Sequence, residues 1–357
     1  MWFYSSVSFL KSLSCRLYVH LIVAVLLCSN WACSRHSLVG STMTDYTVNH
    51  LAPYLLSSDD MRMACELGVS MGPYLLSFER VMKAPDEAGI PTLVTAALCA
   101  ELRVWEQDLR ATRAFKQQQV SEYKDALISQ KRAHSDAARR YYQAYVRMQR
   151  HYGETCVEDA SRHDELAMLL GFVAGIQAVQ HDRAAQVAIG VPADIPRKVS
   201  RQSKCLDTKK WWGVPKALRA AVWLVVPNSA PFKADTEETK RRAYQVLTAQ
   251  MEIGRKAGVR LVDSIFAYAA HAIGDQEQVK KIIQGHADSL KNKASHKKWQ
   301  LLDLTSTLQL EALSDKLWTQ AKGHRTPHGE LGTFWEEEKV TDSEEGDDDL
   351  LEDLEDN

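Results

Sequence analysis

Residues Thr92–Tyr152 read TLVTAALCAELRVWEQDLRATRAFKQQQVSEYKDALISQKRAHSDAARRYYQAYVRMQRHY, a run without a single glycine or proline. Val94, Leu98, Leu102, Trp105 and Leu109 recur at three- and four-residue steps. The pattern turns polar through Gln117-Gln118-Gln119 and Lys124, then resumes with Ala133, Ala137, Tyr141, Tyr145 and Met148. Steps of this size place the apolar side chains on one face of a helix. The run therefore predicts one very long helix, or two long helices joined by a short turn, with a polar middle that is exposed or crosses to another subunit.

Upstream, Pro91 suits a first helical position, and Ala84–Gly89 reads as a loop. Ser57-Ser58-Asp59-Asp60 offers N-cap residues and acids for the first turn of a helix that buries Met61, Cys65, Val69, Met71, Leu75, Phe78 and Met82. Gly72-Pro73 predicts a kink or break inside it. Downstream, Leu166, Leu169, Leu170, Val173, Ile176 and Val179 cover so wide an arc that their helix should be central. Gly190-Val191-Pro192 and Ile195-Pro196 close it. A short basic helix (Arg197 to Lys204), a Trp211-Trp212-Gly213 turn, an apolar helix from Ala217 to Val225 and three or four helices between Thr236 and Lys322 follow. Extended β-branched alternation is absent. The expected fold is all-α, with helical hairpins packed as a bundle or as a degenerate tetratricopeptide-like solenoid. Leu261 to Leu290, rich in alanine around Gly274-Asp275, is the clearest hairpin, although no regular repeat spans the chain.

The chain has 357 residues and a formal charge of −2, an average over unlike parts. From Trp335 to Asn357 there are thirteen acids against the single Lys339, a net of −12, which leaves +10 on the rest. At the other end, Lys11 and Arg16 precede an almost wholly apolar run from Leu17 to Cys28, the layout of a secretory signal and too short for a comfortable membrane span. Ala32-Cys33 then resembles the lipobox of bacterial lipoproteins, in which the cysteine carries the lipid; a plain signal peptide or an uncleaved anchor are the alternatives. In that resemblance Ser34 implies transfer to the outer membrane. The expected organisation is a signal peptide over residues 1–32, a linker over 33–50 after lipidated Cys33, a helical domain over 51–334 and a disordered acidic tail over 335–357. Such a chain resides in the periplasm, held to the outer membrane by its lipid. Removal of the signal leaves a body near +8, and export argues against nucleic acid as its partner.

In an oxidising compartment, Cys156 and Cys205, both in polar segments, are candidates for a disulfide. Cys65 and Cys99, inside apolar helical patterns, read as small buried hydrophobes. No CxxC, P-loop, GxSxG or HExxH occurs, so no cofactor, metal or catalytic residue is expected. His324 and His328 share an i,i+4 spacing, but Pro327 and the flanking glycines make theirs a loop that docks on the body, with Phe334 and Trp335 as anchors. The candidate ligand contacts are Arg139, Arg140, Tyr141 and Tyr142, where guanidinium forks and phenols suit a carboxylate, with His181 and Arg183 at a helix end. The competing reading packs Tyr141 and Tyr145 in the core and leaves the arginines in solvent.

Ser58-Asp59-Asp60 leading to Pro73-Tyr74 and Glu79, followed by Ala138-Arg139-Arg140-Tyr141-Tyr142, resembles the T component of TRAP transporters over about residues 51–153. The resemblance implies a noncatalytic periplasmic helical protein that assists a substrate-binding protein in capturing organic acids, and that forms oligomers. The expected function is thus an exported lipoprotein that binds a partner protein or a small organic-acid ligand. The alternative is an envelope structural or assembly factor self-associating through its long helices.

Overall fold

A computed structural model describes residues 35–186, 189–226 and 228–335. The signal segment, Cys33 and the acidic tail beyond Trp335 lie outside the described residues. Those described form eleven helices and no strand. α1 covers residues 35–56, with a π-helical stretch at Thr47–Leu51, and is followed by α2 (Met61–Ser77), α3 (Asp86–Lys116), α4 (Val120–Tyr152) and α5 (Arg162–Ala185). Then come α6 (Ile195–Gln202), α7 (Val214–Val225), α8 (Thr236–Ala257), α9 (Leu261–Ala272), α10 (Gln276–Asn292) and α11 (Gln300–Lys322). The protein is all-α.

Thr92–Tyr152 resolves into two helices. α3 ends at Lys116 and α4 begins at Val120, so the glutamines of the polar middle make an exposed turn. Several local expectations give way to packing. Residues 35–50, expected as a linker, are helical: Gly40 lies so close to α2's end that a Cβ would fall 2.4 Å from Met82 Sδ, and Thr47 is buried. Pro73 sits within an uninterrupted α2, and Val69 on its outer face is exposed. α3 starts more than a turn before Pro91, because Asp86 is buried in its first turn and held by Arg147 and Arg150. Asp60 caps α2 by accepting from the Met63 N–H at 2.8 Å, and Ser161 with Asp164 forms a capping box at α5.

Cys65 and Cys99 are not free buried thiols. They form a disulfide across α2 and α3, with their Cα atoms 5.3 Å apart. The physical reason is close helix approach. A Cβ on Gly68 would stand 2.6 Å from the Ala96 backbone nitrogen, so glycine lets α2 lie directly on α3 and brings the sulfurs within reach. A second disulfide joins Cys156, in the α4–α5 connection, to Cys205 just beyond α6.

Successive helices pack against one another, and α11 returns to touch α1, α2 and α3, closing the chain into a ring. The odd-numbered helices α1, α3, α5, α7, α9 and α11 supply most of the inner wall; α8 and α10 lie outside it. The core between the layers is apolar, with Trp211, Trp212 and Trp299 meeting edge to face. Buried Arg260 fastens the ring where α8 meets α9. Its backbone N–H donates to Asp303 Oδ1 at 2.7 Å, its Nε to Ser289 Oγ at 2.8 Å, and its Nη1 pairs with Asp303 Oδ2.

Candidate ligand-binding cavity

The ring encloses a cavity of about 240 Å³. Its wall is made of Val48, Leu51 and Leu55 of α1, Val94 and Leu98 of α3, Leu170, Val173 and Ile176 of α5, Leu218, Val222 and Val225 of α7, Leu261 and Ile265 of α9, and Leu301 and Leu302 of α11. These side chains point inward because the apolar arc of each inner helix is wider than its contact with the outer layer can cover. An engineered apolar cavity of ~150 Å³ already takes up benzene, so the space is of ligand size. The wall includes one Lys or Arg, Arg183, and one Asp or Glu, Glu87. Arg183 is exposed and Glu87 pairs with His151 at 3.0 Å near the surface, so both stand at the rim.

One part of the wall is polar. Tyr141 of α4, Ser264 and Tyr268 of α9 and Gln309 of α11 converge on it, and Glu101 of α3 lies behind them. The Tyr141 hydroxyl donates to Glu101 Oε2 at 2.8 Å, and the Gln309 side chain bonds the same carboxyl. Burial pushes the Glu101 carboxyl up to about 7, against the lowering effect of those two bonds. Its nearest basic neighbour, His181 Nε2, is 3.9 Å from Oε1. That histidine stays neutral, since burial holds it down to about 3. His134 Nδ1 lies 2.8 Å from His181 Nδ1, a contact that needs one ring to donate and the other to accept. His134 is likewise held down to about 4 by burial. Tyr268, hydrogen-bonded with Trp105, is pushed well above the usual tyrosine range by burial, yet its ring keeps accessible surface, and that surface faces the cavity.

The residues singled out in the sequence do not form one site. Arg139 is exposed, and Arg140 donates to the Ala96 carbonyl at 2.6 Å. Tyr141 is turned inward onto Glu101, while Tyr142 packs on the core beside α5. The four residues follow the helix around, so no guanidinium stands beside Tyr141 and the expected carboxylate groove is not assembled. His181 stacks on Tyr141 at 5.7 Å, behind the polar wall, while Asp182 caps the following turn by accepting from the Ile189 N–H at 2.7 Å. The loop after α11 docks as its aromatics suggest: Phe334 is buried, Trp335 meets Trp318 edge to face, and Lys280 Nζ lies 4.6 Å from the Trp335 ring. Among the described residues, no three His, Cys, Asp or Glu are grouped to hold a metal ion.

Glu101 was legible in principle. It is the only acid between Glu87 and Glu106, and it stands three residues after Leu98 on the apolar face of α3. Its partners on α4 and α11 were not, because they come from 40 residues further on and beyond. Comparisons with protein-family models, with curated proteins and with solved structures find no match for this chain.

Proposed function

We propose that this chain is a noncatalytic, exported binding protein, lipid-anchored at Cys33, and that its ligand is an apolar molecule held within the helical ring. The observation that carries the reading is the central cavity, with its apolar wall and its charges confined to the rim. Apolar surface in contact with water costs about 25 cal/mol per Å², so an apolar ligand gains by replacing that water. Small organic acids fit this wall less well than they fit the expected arginine groove, because the interior offers no cation to them. Two disulfides accord with an oxidising compartment, which supports export. Under the TRAP T-component resemblance, the bound molecule would be passed to a substrate-binding protein.

The test is titration of the mature chain with N-phenyl-1-naphthylamine, whose fluorescence rises in apolar surroundings. Saturable binding is expected, and it should be lost when Ala269→Phe or Ala221→Leu fills the wall while the helical circular dichroism stays native. Binding unaffected by both substitutions would place the dye elsewhere and end the reading. The anchor has its own test: palmitate labelling in the producing cell should disappear with Cys33→Ala.

A further inference from the structure

The polar part of the wall has a chemistry of its own. Tyr141, Tyr268 and Gln309 come from three different helices, line the cavity and gather about a single carboxyl, in a wall that is largely apolar and carries its other polar side chains, among them Thr92, Thr95, Gln177, Gln180 and Thr305, singly or at the rim. A largely apolar volume with a cluster of polar side chains about one carboxyl suits an amphiphile, its chain on the apolar wall and its head at the cluster. The sign of the head follows from what surrounds Glu101. Among the described residues no lysine or arginine makes a hydrogen bond or ion pair with it, and the nearest base, His181, is neutral and already engaged with His134. An anionic head, whether carboxylate, phosphate or sulfate, would meet a carboxyl with no cation to offset its desolvation. A cationic head would have to bring a second charge into the same low-dielectric space and hold Glu101 ionised there, and two buried charges regain their hydration only with excellent geometry. A hydroxyl needs neither: it can donate to the Gln309 amide oxygen or the Tyr141 oxygen and accept from the Tyr268 O–H, all of which line the cavity.

We infer that the cavity takes a single-chain amphiphile with an uncharged, hydroxyl-bearing head, its chain among α5, α7 and α9 and its head hydrogen-bonded at Tyr141, Tyr268 and Gln309. This rests on the apolar-ligand reading above and adds the chemistry of the head. Long-chain alcohols and monoacylglycerols are the class; phospholipids and ionised fatty acids fall outside it.

The experiment is competition against bound N-phenyl-1-naphthylamine with four ligands of one chain length: dodecanol, dodecanoate at alkaline pH, dodecyl sulfate and dodecyltrimethylammonium, all below their micellar concentrations. Dodecanol should displace the dye at a concentration at least about tenfold lower than any charged analogue, the scale of a buried hydrogen bond or two. Tyr268→Phe and Gln309→Leu, made separately and each checked for native helical circular dichroism, should each weaken dodecanol several-fold more than they weaken the dye. A charged analogue that matches dodecanol overturns the inference, as does a preference that survives both substitutions. Failure of the dye itself to bind would instead overturn the cavity reading, so the two failures are distinguishable.

Discussion

Glu101 and the two histidines behind it set opposite limits on the pH range in which the fold is stable. The Glu101 carboxyl rises from 4.5 to about 7 on folding, so between those values the folded chain keeps a proton that the unfolded chain has released. Stability that is complete below pH 4.5 is lost as pH climbs towards 7, by on the order of 3 kcal/mol. His134 and His181 act in the other sense. Their ordinary value of 6.5 drops to about 4 and about 3, so the stability present above 6.5 is lost as pH falls towards those values. Urea midpoints measured across pH should therefore peak in the mildly acidic range, and Glu101→Gln should flatten the alkaline limb while leaving the acid limb. Arg260 makes a second prediction at this scale. Arg260→Ala strands the buried Asp303 carboxylate and should cost about 3–5 kcal/mol in a denaturant titration, far more than loss of the exposed Arg103–Asp136 pair. Unlike Glu101, Arg260 does not stand out in the linear sequence: it follows a plain Gly258-Val259 turn, and its partner lies 43 residues away.

Among the elements, α2 and α3 show how a local rule yields to packing. A glycine and a proline side by side predict a break, yet α2 runs through Gly72-Pro73, its N-terminal half fixed by the Asp60 cap and the Cys65–Cys99 bond and Gly68 and Gly72 laid against Ala96 and Thr92 of α3. That bond closes a 34-residue separation and the Cys156–Cys205 bond one of 49. Each constrains the unfolded chain by about 4 kcal/mol on a loop-entropy account. Reduction under native conditions, or Cys65→Ser with Cys99→Ser, should lower the thermal midpoint clearly, and the paired substitution should leave the helical content at low temperature intact. The long helices themselves were legible, because α3 and α4 keep an apolar face over most of their length and lack breakers after Pro91. Their exact starts were not, since Asp86 enters α3 only through arginines that α4 brings to it.

For the whole molecule, the closure of α11 onto α1, α2 and α3 turns a row of hairpins into a ring with an interior. α1 is the least buried of the inner helices, with only Gly40 and Thr47 buried among residues 35–56. Thr47, Val48, Leu51 and Leu55 line the cavity, while the side-chain hydrogen bonds of Ser41, Thr44, Thr47 and Asn49 stay within the helix. Segments with few buried tertiary contacts open first. Hydrogen exchange should be faster in residues 35–56 than in α3, α4 or α9, and saturation with an apolar ligand should slow α1 more than any outer-layer helix. Equal protection in α1 and α9 would count against the ring's opening on that side.

By itself, the sequence determined that this protein is helical, where most of its long helices run and that its apolar faces are wide, because period and the absence of breakers are local properties of the chain. Only the tertiary structure decided that Arg139 and Arg140 point away from any shared groove, that Cys65 meets Cys99, and that Glu101, Tyr141, Tyr268 and Gln309 gather on one cavity wall. The physical reason is that a helix face fixes which side chains point inward, while the distance and angle between helices fix what they meet there.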